Sequence, residues 1–389
     1  MRNEEILIKN GDVIGGGKSV RKDIFIRDGR IEGVDFKGGV GRDCQVVNAR
    51  NCYVSPGFID MHCHGGGGFD LMDGTREALK EISYAHLKNG TTTMMPTTVS
   101  ARFEDILRVL RAYRDYASEC PNFYGVHLEG PYLSACQKGA HKKQYLHPPN
   151  EYETGMLLEA GSGIVKRITA APELENMPAF AKAMVENGIT LSVGHSDASS
   201  DAVREAVGWG FSHITHLYSA TPSIRKINER IVAGVVEAAY LENDLTVEMI
   251  GDGKHTAVDA LKLAVKIKGI EKVALVTDSL RPAGIDVKES WLGEKAPENR
   301  IIIEDDVAKL PDRSSFAGSI ATTGMMLRKG VEHYGFSVED TVRMLTETPA
   351  SILKLPDKGK IEKGYAADIV IFDRSLHIQK VFIHGMLVK

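Results

Sequence analysis

Between residues 57 and 279 the chain repeats one pattern eight times: a short, largely apolar run, then in most cases a stretch of helical periodicity. The runs are GFIDMHCH (57–64), TTTMMPT (91–97), FYGVHLEG (123–130), KRITAAPE (166–173), ITLSVGH (189–195), SHITHLYS (212–219), LTVEMIGD (245–252) and KVALVTDS (272–279). A run of this length bounded by turn signals fits a strand buried on both faces, and its alternation with helices is the mark of a parallel βα array. Several of the helical stretches stop at a glycine, Gly90, Gly188 or Gly269, each suited to the left-handed residue that follows a helix. Eight units close an α/β (β/α)8 barrel of the TIM type. A doubly wound open sheet is the alternative, but it would not readily bring polar residues from nearly all eight strands into one pocket.

The two ends of the chain read differently. ILIKNGDVI, IFIRDG and RIEGV near the start, and GKIEKGYAADIVIFD and KVFIHGMLVK at the end, are short strands between glycine-containing turns, and Asp28-Gly29 supplies the positive-φ pair of a tight hairpin. We therefore expect a small β-sandwich domain from residues 1–54 and 359–389, carried by both termini, around a catalytic barrel of residues 55–358. The mixed stretch 282–315 reads either as a lid over the barrel mouth or as an inserted hairpin.

Charge narrows the partners. With 48 Lys+Arg against 52 Asp+Glu, the net charge of -4 leaves no electrostatic footprint for nucleic acid or an anionic membrane, so a small molecule is the expected partner. The start MRNEEILIKN lacks the apolar core of a signal peptide, and the apolar stretch near Ile231 to Leu241 is interrupted by Glu237 and too short to span a bilayer. Five scattered cysteines (Cys44, Cys52, Cys63, Cys120, Cys136) suit free thiols in a reducing compartment, and the cytoplasm is the expected location.

Barrel active sites lie at the carboxyl ends of the strands, and most of the informative histidines fall there. His62 and His64, two apart in an extended segment, project to one face, while Cys63 points away; Gly65 to Gly68 then let the backbone turn sharply. Glu129 ends the third strand, His195 the fifth and His216 the sixth. Four imidazoles and a carboxylate converging on one mouth suit Zn²⁺ or Fe²⁺ rather than Mg²⁺ or Ca²⁺. Asp278, ending the eighth strand, can add a ligand and can move the proton of an activated water to a leaving amine. His255 and His141, on the loops after strands seven and three, can bond a substrate carbonyl or hydroxyl from the rim, and His127 is either an orienting partner of the site or a packed core histidine. Each of these residues also has a plainer reading as a cap, a loop carboxylate or a satisfied histidine; their joint placement favours chemistry.

The segments PGFIDMHCHGGGG, HLEGPYL, KGAH, AAPE, VGHSDA, THLYSA, GDGKH and LVTDS, in this order and spacing, resemble N-acetylglucosamine-6-phosphate deacetylases, and GKIEKGYAADIVIFD resembles the C-terminal sheet of amidohydrolases generally. The resemblance spans nearly the whole chain. It implies that Glu129, His195 and His216 hold a main metal ion, and that His62 and His64 support a second where one is kept. It further implies that Asp278 is the acid/base, that His255 polarises the acetyl carbonyl and that His141 contacts the sugar. The backbone at Ser219 and Ala220 would receive the phosphate, aided by a basic residue from a neighbouring subunit of a homodimer. One or two zinc or iron ions per subunit and an amino-sugar phosphate substrate follow from the same resemblance. The departures fall on the substrate side: Ser219 where the family usually has Asn, Thr221 where it has Met, SIRKINERIVAG in place of a GREPG-like stretch, and Lys254 before His255. They leave open whether Arg225 or Arg230 meets the phosphate. They also leave open deacetylation of N-acetylgalactosamine 6-phosphate, cyclic-amide hydrolysis, and a non-catalytic binding or assembly role.

Overall fold

The computed structural model describes residues 5–293, 295–313 and 316–389. Residues 1–4 of the opening stretch, and 294, 314 and 315 within the stretch 282–315, lie outside the described residues.

The eight expected strands are all present, as Phe58–Cys63, Thr91–Thr98, Val126–Glu129, Val165–Ala170, Thr190–Val193, Phe211–Ile214, Thr246–Ile250 and Val273–Val276. They pair in parallel in chain order. The barrel closes where the Asp278 amide donates to the His62 carbonyl (2.9 Å) and the His64 amide to the Ser279 carbonyl (2.9 Å). Several observed strands stop short of the sequence runs for one reason: His195, His216 and Asp278 have φ of 46°, 26° and 47°, so the chain leaves the ladder at the residues that carry the chemistry. Left-handed backbone at non-glycine residues costs about 1–3 kcal/mol each and persists only where surrounding structure over-determines it.

Alternation along the strands sorts the side chains. Leu128, Ile168, Leu191, Val193, Val247 and Leu275 join the main apolar core with Leu79, Leu110, Met184, Leu261 and Met326 of the helices. The intervening His127, Arg167, Ser192, His213 and Glu248 are fully buried and polar, so the barrel interior is a hydrogen-bonded network instead of the usual layers of branched aliphatics. Gly90, Gly188 and Gly269 follow their helices at φ of 100°, 71° and 81°, as expected.

Both termini contribute to one further sheet of eight strands, in which Cys52–Pro56 joins the N-terminal strands to Ile369–Asp373. Its Arg27 and Arg30 pair across the Asp28-Gly29 turn. Ile369 and Ile371 face a separate apolar cluster with Ile8, Ile24, Ile26 and Val54, whereas Val370 and Phe372 join the barrel core, so this sheet is anchored to the barrel through its other face. The stretch after the eighth barrel strand forms an antiparallel four-stranded sheet, Glu289–Trp291, Arg300–Glu304, Val307–Lys309 and Phe316–Gly318, so it has the hairpin structure of one of the two readings, and its Phe316 ring lies 5.2 Å from that of His255. No helix among the described residues is long and apolar enough to cross a membrane, and the five cysteines are all unpaired.

Candidate active site

Glu129 is the hub. Its Oε1 lies 2.9 Å from His216 Nε2, 3.2 Å from His195 Nε2 and 3.5 Å from His62 Nε2; its Oε2 lies 3.3 Å from both His64 Nε2 and His141 Nε2. Asp278 Oδ1 stands 3.2 Å from His64 Nε2 and 3.4 Å from His62 Nε2. Residues contributed by the first, third, fifth, sixth and eighth strands thus meet within a few ångströms, all of them buried except the partly open Asp278.

The outer nitrogens fix what the inner ones offer. His195 Nδ1 meets the Gln137 carbonyl at 2.8 Å, His216 Nδ1 the Ser219 carbonyl at 3.0 Å, and His62 Nδ1 the Glu248 carboxylate at 2.7 Å. These partners only accept, so each ring donates from Nδ1 and turns Nε2 inward, the atom that offers its lone pair to a metal ion when one is bound. The His195 and His216 Nε2 atoms face each other at 3.1 Å, both against Glu129 Oε1. A donor set of inward imidazole nitrogens around one carboxylate suits a divalent transition ion. The residues therefore fit a metal. His141 differs: its Nδ1 accepts from the Ser100 amide (3.2 Å), so its Nε2 carries hydrogen and donates to Glu129, which suits a substrate-side role better than ligation.

Electrostatics follow from burial against close partners. Burial pushes the Glu129 carboxyl up, but His62 and His195 outweigh it and hold the group well below the carboxylate range. Asp278 behaves likewise: burial raises it, and His62 and His64 bring it below its ordinary value, leaving it ionised. At His255 burial disfavours the charge, yet the ring sits above its ordinary value because Nδ1 bonds Asp252 Oδ2 at 2.6 Å. Asp252 is itself held by the Lys254 and His255 amides, each at 2.9 Å.

The loop after strand six carries Ser219 and Ala220; the Ser219 carbonyl steadies His216, Ala220 has φ of 50°, and its carbonyl accepts from the Ser196 amide. Arg225 is engaged with Asp197, both through the carboxylate and through the backbone carbonyl at 2.8 Å. Arg230 is exposed on the hairpin formed by Arg225–Ile227 and Arg230–Val232. His127 bonds Thr169 Oγ1 (2.7 Å) and Thr97 Oγ1 (3.2 Å) beneath the cluster and packs edge-on against His62, with ring centroids 4.7 Å apart.

A family model, the amidohydrolase family, matches residues 53–388. The chain belongs to the amidohydrolase family. Within it, this amidohydrolase is 32% identical over 396 residues to the N-acetylglucosamine-6-phosphate deacetylase of Lysinibacillus sphaericus, covering 98% of this chain and 97% of the relative. It is 31% identical over 338 residues to the N-acetylgalactosamine-6-phosphate deacetylase of a Shewanella species, covering 85% and 82%. Among solved structures it superposes on a mutant N-acetyl-D-glucosamine-6-phosphate deacetylase from Mycobacterium smegmatis, in complex with N-acetyl-D-glucosamine-6-phosphate, with a TM-score of 0.88 and 30% identity over 99% of both chains.

Three residues of this amidohydrolase site escaped the sequence reading: Glu248, Arg167 and Asp252. The first two were signalled only by charge inside strands otherwise read as buried, LTVEMIGD and KRITAAPE. Asp252 was signalled by its place three residues before His255.

Proposed function

We propose that this amidohydrolase cleaves the acetamide of N-acetyl-D-glucosamine 6-phosphate, giving D-glucosamine 6-phosphate and acetate in amino-sugar catabolism in the cytoplasm. The observation that carries the reading is Asp278, ionised and partly open, within 3.4 Å of a histidine and carboxylate cluster fit for metal. Relatives named for this reaction along nearly the whole length support it. We take residues 1–54 and 359–389 as a supporting β-domain and 55–358 as the catalytic barrel, a division supported by the terminal sheet's own apolar cluster.

Zinc or iron, held by Glu129, His195 and His216 with His62 and His64 for a second ion, supplies positive charge that acidifies water and stabilises a developing oxyanion. Asp278 takes a proton from the attacking water as its oxygen bonds the acetyl carbon, and returns that proton to the nitrogen as the C–N bond breaks. His255, kept protonated by Asp252, donates from Nε2 to the carbonyl oxygen. His141, beside Glu129 at the rim, contacts the sugar. Since Arg225 is already committed to Asp197, the exposed Arg230 is the better phosphate ligand, reaching the Ser219–Ala220 loop of a second subunit in a homodimer. The Shewanella relative favours one second reading, the 4-epimer as substrate.

The deciding experiment follows acetate release from the gluco sugar phosphate, its 4-epimer and the unphosphorylated sugar, using metal-loaded and chelated protein. Release that needs both metal and phosphate supports the reading, and the epimer ratio names the substrate. Metal-loaded protein that cleaves none of the three sugars rules it out.

A further inference from the structure

Beneath the candidate metal residues, an ion pair is sealed inside the barrel. Arg167 on the fourth strand and Glu248 on the seventh are both fully buried, with Arg167 Nη1 at 2.5 Å from Glu248 Oε2. Arg167 Nη2 donates to Thr215 Oγ1 at 2.9 Å, next to His216. The other carboxylate oxygen, Glu248 Oε1, faces upward and accepts from His62 Nδ1 at 2.7 Å, with the His216 amide at 3.4 Å. Removing two charges from water costs several kcal/mol per ion, and burial of such a pair is weak evidence for stability, so its place under the site calls for another account.

We propose that the Arg167–Glu248 pair is a positioning device that locks His62 in the Nδ1–H form and thereby creates the second metal position of the His62–His64 pair. The inference rests on the metal reading above. The Glu248 oxygen accepts from Nδ1, so the hydrogen that His62 gives up to a metal ion is the one on Nε2, 3.3 Å from His64 Nε2. Arg167 occupies the second oxygen of Glu248, which His213 Nε2 also approaches at 3.4 Å, leaving the first oxygen for the ring. His195 and His216 are steadied by backbone carbonyls, which mutation cannot easily change; His62 alone among the three depends on a side chain. The second position is therefore separately adjustable without altering the first.

Glu248→Gln tests this with little change of shape. Arg167 can only donate, so the amide oxygen turns to Arg167 and the amide NH₂ faces His62 Nδ1. That moves the ring hydrogen to Nε2 and blocks ligation. Apoprotein titrated with Co²⁺, read by visible absorption and by ions bound per chain, is expected to fill two positions in the wild type. In Glu248→Gln the first should keep its affinity while the second weakens by about 10–100-fold. Two filled positions of unchanged affinity in Glu248→Gln overturn the proposal, as does a wild type that holds a single ion; a wild type that binds no Co²⁺ overturns the metal reading itself. Should the variant not fold, ¹⁵N-coupled proton spectra of wild-type apoprotein decide. A downfield Nδ1–H resonance lost in His62→Gln is the expected result, and a His62 ring with its only hydrogen on Nε2 is the contrary one.

Discussion

At the scale of single residues, the site is a set of hydrogen-bond directions imposed on a few titratable groups. Asp278 starts ionised because the histidines beside it outweigh its burial. Replacing it with Asn keeps its size but removes the proposed proton carrier, so kcat is expected to fall by roughly 10²–10⁴, with thermal unfolding close to the wild type. Steady-state kinetics beside a melting curve separates loss of chemistry from loss of fold. In the proposed mechanism His255 donates while protonated, and the Asp252 bond raises its value above the ordinary one despite burial. Activity that depends on this proton is lost as pH rises through the raised value. Asp252→Asn removes the carboxylate that raises it, so the basic limb of the pH–rate profile should move to lower pH; an unmoved limb would assign that limb to another group.

At the scale of elements, the glycine loop after the first strand is held to the inserted sheet by one arginine. Arg281, almost fully buried, bonds both oxygens of Asp73 (2.6 and 2.9 Å) and the carbonyls of Gly68 (3.3 Å) and Gly293 (2.6 Å). Gly65 could be nothing else, since a Cβ there would sit 2.4 Å from the Phe69 carbonyl oxygen. Arg281→Ala leaves these acceptors without a partner and should cost about 3 kcal/mol, read as a lower urea midpoint. Because the same loop follows directly on His64, weaker binding of the second ion is expected with it. A midpoint within experimental error of the wild type would mean that water replaces the guanidinium at no cost.

At the scale of the whole molecule, two buried histidines, one inside the barrel and one on the helix Arg76–Leu87, act on the acid stability. His86 and His213 are fully buried and neutral, each held down to about 4, by burial first and, for His213, then by the charge of Arg167. In the unfolded chain both titrate near 6.5, so between pH 6.5 and 4 the unfolded state binds more protons and stability falls as pH falls. The urea midpoint should drop steadily across that window, before most carboxylates titrate. A flat midpoint down to about pH 4.5 would show that these rings are open to water. Chelation acts on the molecule as a whole too: the residues proposed to hold metal come from several barrel strands, so bound metal would be linked to folding, and a metal-free protein should melt at a lower temperature than the loaded form.

Much of this was legible in the chain itself. The alternation of apolar runs and helices stated the barrel, and the placing of His62, His64, Glu129, His195, His216 and Asp278 at strand ends put them at one mouth, because strand period and closure leave a terminal residue few directions to face. The turn glycines were equally readable, since positive φ penalises other residues. The sequence did not tell which groups would be partners across the barrel. Glu248 lies 186 residues from His62 and 81 from Arg167, and their meeting depends on how the sheet closes. Hydrogen-bond direction is likewise a property of neighbours: His141 looks no different in sequence from a metal ligand, and only the Ser100 amide against its Nδ1 makes it a donor. Arg225 was open to the phosphate until the fold gave it Asp197. Composition and period determine where a side chain is carried, whereas its protonation and its free valence are set by whatever the tertiary structure packs against it.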